Sequence, residues 1–313
     1  MIRKGIHHVT AIAGQARRNL EFYTKALGMR LIKRTVNFDD PGTYHLYYAD
    51  ETGQPGTVLT FFPWAHVAAG RLDVGETQET TLRVPESAIG FWTHRFVELG
   101  IPHETPVKRF GETVLPFRDP DGMRLALVGI NGIEAAPGWT GDGIAAEHAI
   151  RGFHGVSLLL EDAGLTGAIL TDVLGFSEAG RDDTLVRFRA DGSEMGGIVD
   201  IRTAVGFLPA RMGAGSVHHI AFRAATDEAQ AEMVAKLAAN HRIRTTEQVD
   251  RNYFRSVYFR EPGGILFEIA TDEPGFAIDE LPAELGRSLR LPPALEARRA
   301  EIESALPELE SVE

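Results

Sequence analysis

The sequence predicts an α+β fold made of four βαβββ modules, and two repeats within the chain lead to this prediction. GIHHV at 5–9 is matched by GFHGV at 152–156, which indicates a duplication of the half-chain. The turn DPDG at 119–122 is matched in the same way by EPGG at 261–264, and each turn precedes an apolar run. Because sequence repeated at a fixed period marks repeated structural units, the chain is interpreted as four related modules, at about 5–64, 75–130, 152–203 and 215–271.

The order of elements within a module is clearest in the first one. HHVTAIA is a short, mainly apolar run that predicts a strand. Ala16–Leu27 carries apolar residues at helical spacing and ends at Gly28, which predicts a helix closed by a glycine C′ residue. The runs TYHLYYAD and TVLTFFPW are rich in β-branched and aromatic residues and are separated by turn residues, so they predict extended strands after the helix.

The repeats also predict how the chain is divided. The segment NGIEAAPGWTGDGIAAEHA, between the second and third modules, is rich in Gly and Ala and is interpreted as a linker. The C-terminal segment is interpreted as an arm with a short amphipathic helix, because Leu295, Ile302 and Leu306 recur among charged residues. The predicted divisions are two modules at 1–135, a linker at 136–151, two modules at 152–272 and the arm at 273–313.

The composition excludes several classes of protein. The 313 residues include 32 Lys and Arg against 44 Asp and Glu, a net charge of −12, without the basic stripe of a nucleic-acid-binding protein. There is no cysteine, which excludes zinc fingers, iron–sulfur clusters and thiol nucleophiles, so a bound metal would need nitrogen and oxygen ligands. No apolar run is long enough for a signal peptide or a membrane span. We therefore expect a cytoplasmic protein that binds neither nucleic acid nor membrane.

Several long stretches carry a resemblance to a known family. They are GIHHVT, YHLYYADETGQPGTVLTFFPW, VHHIAF, DRNYFRSVYF and EPGGILFEIATDEPGF. These stretches resemble the vicinal oxygen chelate superfamily, which includes glyoxalase I, bleomycin-resistance proteins and ring-cleaving dioxygenases, and especially its enzymes similar to hydroquinone 1,2-dioxygenase. The resemblance implies that the modules pair into two cup-like half-barrel domains, with metal ligands on the first and last strands of each module.

The alignment of the repeats assigns two ligand positions to each module. If modules one and two pair, neither cup contains two histidines. If modules one and four pair, one cup collects His8, His219 and Glu268, with Thr60 at the fourth position, and the resemblance implies this pairing. In module order, the eight positions are His8 and Thr60, Glu79 and Ala126, Gly155 and Asp200, and His219 and Glu268.

Two histidines and one carboxylate are typical of the facial triad of non-haem Fe(II) oxygenases. We therefore expect His8, His219 and Glu268 to bind Fe(2+), with Mn(2+) as the alternative metal. The resemblance implies that a small hydroquinone-type para-diol and O2 are the substrates and that the ring is opened. The alternatives are a glyoxalase-like isomerase, a catechol extradiol dioxygenase and a non-catalytic aromatic-binding resistance protein. A homo-oligomer is expected, because the cup of modules two and three shows no ligand chemistry.

Four further residues are candidates for a catalytic role. His7 and His218 precede the predicted ligands, and they are either groups that support the site or inert interface histidines. The resemblance implies charge stabilisation by Arg251 and hydrogen bonding or proton transfer by Tyr258. Tyr258 opposes Glu268 only if the EPGG hairpin has a three-residue loop. The histidines interpreted as structural are His45, His66, His94, His103, His148 and His241.

Overall fold

Two eight-stranded sheets carry the fold in the computed structural model, which describes residues 4–141 and 143–309. From one edge to the other, the first sheet contains β14 (Val249–Asp250), β15 (Phe254–Arg260), β16 (Leu266–Pro274), β13 (Val217–Ala224), β1 (Ile6–Ala13), β4 (Val58–Pro63), β3 (Asp40–Ala49) and β2 (Arg30–Asn37). The second contains β10 (Ser177–Asp182), β11 (Leu185–Arg189), β12 (Ile198–Thr203), β9 (Phe153–Leu160), β5 (Glu76–Pro85), β8 (Arg124–Ile130), β7 (Glu112–Arg118) and β6 (Val107–Arg109).

The two halves of the chain meet in the middle of each sheet. β1 pairs antiparallel with β13, and β5 pairs antiparallel with β9. Modules one and four therefore share the first sheet, and modules two and three share the second. Neither half of the chain forms a sheet of its own, and the predicted pairing of modules one and four is observed. The predicted division of the chain at 135, 151 and 272 stays a prediction.

The α-helices of the described residues are α1 (Ala16–Glu21), α2 (Ile89–Glu98), α3 (Gly164–Asp172), α4 (Asp227–His241) and α5 (Arg299–Ala305). Short 3₁₀ helices lie at Glu86–Ala88, Phe276–Ile278, Pro282–Glu284 and Pro293–Arg298.

The helix predicted at Ala16–Leu27 is not α-helical throughout. A π-helical turn at Phe22–Ala26 follows α1, and the Leu27 N–H donates to the Phe22 carbonyl at 3.1 Å. The Thr24 hydroxyl donates to the Leu20 carbonyl at 2.7 Å, which competes with the regular α-helical hydrogen bonds at this point. Gly28 then has a φ of +64°, the left-handed conformation of the predicted C′ glycine.

The predicted linker and arm both pack onto the sheets. Trp92 of α2 donates from its indole N–H to the carbonyl of His148 at 2.9 Å, so the linker covers this helix. In the arm, Ile302 and Leu306 are buried, as the amphipathic pattern predicted. Asp142 of the linker and residues 310–313 of the arm lie outside the described residues. No described helix combines the length and the apolar character needed to cross a lipid bilayer.

Candidate metal centre

Three buried side chains from three neighbouring strands converge in the first sheet. His8 of β1 and Glu268 of β16 both align with Ala221 of β13, and His219 lies two positions earlier in β13, on the same face. Glu268 Oε2 lies 3.0 Å from His219 Nε2 and 3.5 Å from His8 Nε2. The two Nε2 atoms are 3.4 Å apart. Among the described residues, these three side chains form the single cluster of three or more potential metal ligands.

The chemistry of this cluster fits a divalent cation. Glu268 Oε2 is buried, and neither nearby imidazole meets it with hydrogen-bond geometry. Burial opposes ionisation of Glu268, but contact with His8 and His219 outweighs this and lowers its pKa well below the usual range. Burial also lowers the pKa of His219. A carboxylate beside a neutral imidazole is the protonation state that metal binding requires.

The histidines that precede the two predicted ligands contact them directly. His7 Nδ1 lies 2.9 Å from His8 Nδ1, and His218 Nδ1 lies 2.8 Å from His219 Nδ1. Burial lowers the pKa of both His7 and His218 to about 3, so both rings are neutral and can accept a hydrogen bond. If each ligand ring donates from Nδ1, its Nε2 presents a lone pair to the centre of the cluster. This arrangement favours a supporting role for His7 and His218 over the interface alternative.

Ser256 is a site residue that the sequence did not reveal. Its hydroxyl, buried on β15, donates to Glu268 Oε1. This contact occupies one carboxylate oxygen and leaves Oε2 facing the two imidazoles. A serine in a strand gives no signal of such a role, because the contact depends on how β15 pairs with β16.

We expect Ser256→Ala to weaken metal binding by about 10–100-fold while the protein stays folded. The substitution removes the hydrogen bond that orients Glu268 but keeps all three predicted ligands. The measurement is a metal titration of the metal-depleted variant, with Ser177→Ala, an exposed serine on β10, as the matched control. An unchanged affinity in Ser256→Ala would show that Glu268 needs no such orientation.

A cavity of about 330 Å³ opens beside the cluster. Arg251 and Tyr258 line it, and Arg251 Nε donates to the Tyr258 hydroxyl at 3.1 Å. Tyr258 pairs with Glu268 across the hairpin, so of the registers that the sequence leaves open the structure has that of a three-residue loop. At the exposed side, Arg251 also contacts Asp39 at 3.4 Å. The structure therefore brings Arg251 and Tyr258 to the same cavity as His8, His219 and His218.

His45 was interpreted as structural, and the structure instead places it in the cavity wall. Its Nδ1 lies 2.9 Å from the Tyr47 hydroxyl, and its Nε2 lies 2.8 Å from the Thr60 hydroxyl. Thr60, at the predicted fourth position, is also 2.8 Å from the hydroxyl of Thr10. Burial and the nearby His219 lower the pKa of His45 well below its usual value, so its ring is neutral.

Aromatic side chains form much of the remaining cavity wall. Phe62 and Trp64 line it, whereas Phe61 is completely buried in the core, as strand alternation requires. Phe254 lies on the other side, with its ring centroid 4.8 Å from that of His8. Such a wall suits a flat aromatic ligand.

Two of the four corresponding positions of the second sheet, Glu79 and Asp200, form ion pairs, and the other two are Ala126 and Gly155. Arg109 donates to both carboxylate oxygens of Glu79, and Arg187 donates to both oxygens of Asp200, each at 2.8 Å. Arg187 also donates to Glu112 at 2.6 Å. The carboxylates predicted at these ligand positions are therefore bound by guanidinium groups.

Comparisons with known proteins agree with this geometry. The family described as the Glyoxalase/Bleomycin resistance protein/Dioxygenase superfamily matches residues 5–127. A Bacillus subtilis protein named as the ring-cleaving dioxygenase MhqO is 45% identical over 303 residues, covering 96% of this chain and 95% of that protein. The chlorohydroquinone/hydroquinone 1,2-dioxygenase of Sphingobium indicum is 28% identical over 304 residues, covering 96% of this chain and 94% of that enzyme.

Solved structures share the fold. The crystal structure of a Bacillus subtilis protein named as a dioxygenase is 43% identical, with a TM-score of 0.93 and coverage of 99% of both chains. A glyoxalase I mutant from Zea mays has a TM-score of 0.69 over 90% of this chain and 97% of its own, at 13% identity. The chain has the vicinal oxygen chelate fold and belongs to the glyoxalase/bleomycin resistance protein/dioxygenase superfamily, where it groups with the ring-cleaving dioxygenases.

Proposed function

We propose that the protein is an Fe(II)-dependent dioxygenase that opens the ring of a hydroquinone-type para-diol with O2. The observation that carries the proposal is the buried cluster of His8, His219 and Glu268 at the end of an aromatic-walled cavity. These three residues would hold the iron, which supplies Lewis acidity and the means to activate O2. The named activity of the Sphingobium relative supports the choice of a hydroquinone.

Arg251 and Tyr258 would bind and orient the substrate. Burial raises the pKa of Tyr258, so its hydroxyl stays protonated and can donate a hydrogen bond. Because the oxygen already accepts a hydrogen bond from Arg251, its own hydrogen is free to point towards a substrate oxygen. The fixed positive charge of Arg251 would stabilise a substrate phenolate bound against the aromatic wall.

His45 would act on the other side of the substrate through its hydrogen bonds. Its neutral ring links the hydroxyls of Tyr47 and Thr60. This chain of exchangeable protons leads from the cavity wall to Thr10 on β1. These hydrogen bonds would hold the neutral His45 ring in one orientation, with a proton on one of its two nitrogens.

Tyr258→Phe should lower kcat/KM for hydroquinone by about 10–100-fold, because the substitution removes one hydrogen bond to an oxygen that gains negative charge in the reaction. The metal content should not change, since Tyr258 is not one of the proposed ligands. Steady-state kinetics and metal analysis of the same preparation measure both effects. Tyr44→Phe, at a buried tyrosine on β3, is the matched control. Full activity in Tyr258→Phe would remove this residue from the proposed substrate site.

The reaction class has its own test, which uses isotopically labelled O2. A ring-cleaving dioxygenase places both labelled oxygen atoms in one ring-opened product. The iron-loaded protein is supplied with labelled O2, and mass spectrometry measures the mass of the product. Because an aldehyde oxygen in the ring-opened product exchanges with water, the product is reduced with borohydride as it forms, and one labelled atom or none after this step would contradict the proposal. The cytoplasmic location and the homo-oligomer stay predictions.

A further inference from the structure

The second sheet encloses a cavity of its own that the proposed function does not use. Its volume is about 410 Å³, and it lies between modules two and three. Where the first cup has its metal cluster, this cup has the bidentate ion pairs of Glu79 with Arg109 and of Asp200 with Arg187. These pairs neutralise the two carboxylates. The guanidinium group of Arg109 also lines the cavity. The second cup therefore has a cavity like that of the first cup, but its carboxylates are paired with arginines rather than with histidines.

Three more arginines line this cavity: Arg118 and Arg124 from module two and Arg202 from module three. In the described part of the chain, none of the three guanidinium groups has an ion-pair or hydrogen-bond partner. Arg118 and Arg124 stand directly opposite each other on β7 and β8. Like charges in this position destabilise a sheet unless an anion lies between or beside them. The concentration of positive charge is notable in a chain whose net charge is −12.

The apolar side chains in the rest of the cavity wall favour an organic ligand over an inorganic anion. Pro102 and Leu185 contribute apolar surface to this wall, and Phe117 and Leu125 are buried in the core behind it. Glu104 adds one carboxylate, and it is exposed at the rim. Guanidinium groups bind carboxylates in a bidentate manner, as the two ion pairs of this cup already show.

We propose that this cup is a second binding site, which takes a small organic dicarboxylate. One carboxylate binds between Arg118 and Arg124, the other binds to Arg202, and the carbon chain contacts the apolar wall. Arginines from both modules are required, because the cavity lies at their junction. The site is separate from the metal cluster and does not depend on turnover.

The test is isothermal titration calorimetry of the full-length, metal-loaded protein with adipate, and with inorganic phosphate as the second probe. We expect adipate to bind once per chain, and phosphate to bind at least about tenfold more weakly because it cannot use the apolar wall. Arg118→Gln and Arg202→Gln should each weaken adipate binding by about tenfold or more. Both side chains lie at the cavity surface, and thermal unfolding confirms that each variant is folded.

Two controls separate this site from others. Arg244→Gln, an exposed arginine in module four, should bind adipate like the unmodified protein. Glu268→Gln should also bind adipate normally, which excludes binding of the carboxylate at the metal centre. Absence of adipate binding, equal affinity for phosphate, or binding that survives both arginine substitutions would each overturn the proposal. None of these outcomes depends on the proposed dioxygenase activity.

Discussion

His8→Ala should abolish tight metal binding and O2 consumption together. His8 is the one proposed ligand from module one, whereas His219 and Glu268 both come from module four. Removing a residue that only orients a ligand through a hydrogen bond lowers the metal affinity by about 10–100-fold. Removing one of the three ligands themselves should therefore lower it further. The experiment therefore tests the ligand set and the functional importance of the pairing between the two modules.

The measurement is metal content after dialysis, together with O2 consumption, for His8→Ala and for Glu268→Gln. The matched control is His94→Ala, an exposed histidine on α2. Because the His94 side chain is remote from the cluster, this variant should keep its metal and its activity. Full metal content with full activity in His8→Ala would refute the proposed ligand set.

Lys33→Met should lower the free energy of unfolding by about 3–5 kcal/mol. Lys33 is completely buried on β2, and its Nζ binds Asp279 Oδ1 at 2.6 Å and also the carboxylate of Glu280. The Glu280 side chain is buried as well. Without the ammonium group, buried negative charge at the start of the C-terminal arm would lose its main compensation.

Urea unfolding compares Lys33→Met with Lys25→Met, a control at a lysine that is largely exposed at the end of the π-helical turn. The double variant Lys33→Met with Glu280→Gln should recover part of the lost stability, since it removes one of the two carboxylates that Lys33 binds, the one for which Arg290 at 3.4 Å would be the remaining cation. A loss below about 1 kcal/mol in Lys33→Met would show that water reaches these carboxylates and screens them.

The fold was predictable because repetition is visible in one sequence. The repeats locate four modules, and they place His8 and His219 at equivalent positions of the opening strands. Strand alternation and the pairing of modules one and four then place both histidines next to Glu268, as predicted. The register of the EPGG hairpin was not predictable in the same way, because the loop length decides whether Tyr258 or Val257 faces Glu268 and the sequence leaves that length open.

The residues that sequence reasoning missed depend on contacts between distant segments. Lys33 and Glu280 are 247 positions apart, and nothing near either residue indicates the other. Ser256 acquires its role from the pairing of β15 with β16, and His45 acquires its role from the position of β3 beside β4. The π-helical turn after α1 was missed because a single such turn lengthens the helical period by only about one residue, which the apolar spacing of a short helix does not reveal.

The most direct test of the proposed function is O2 uptake by protein loaded anaerobically with Fe(II). Hydroquinone, methylhydroquinone, chlorohydroquinone and catechol are added in turn, and Glu268→Gln is measured in parallel. We expect stoichiometric O2 uptake with a para-diol, weak or no uptake with catechol, and none in Glu268→Gln. If the protein binds iron but consumes O2 with none of these diols, it is not a ring-cleaving dioxygenase of this class.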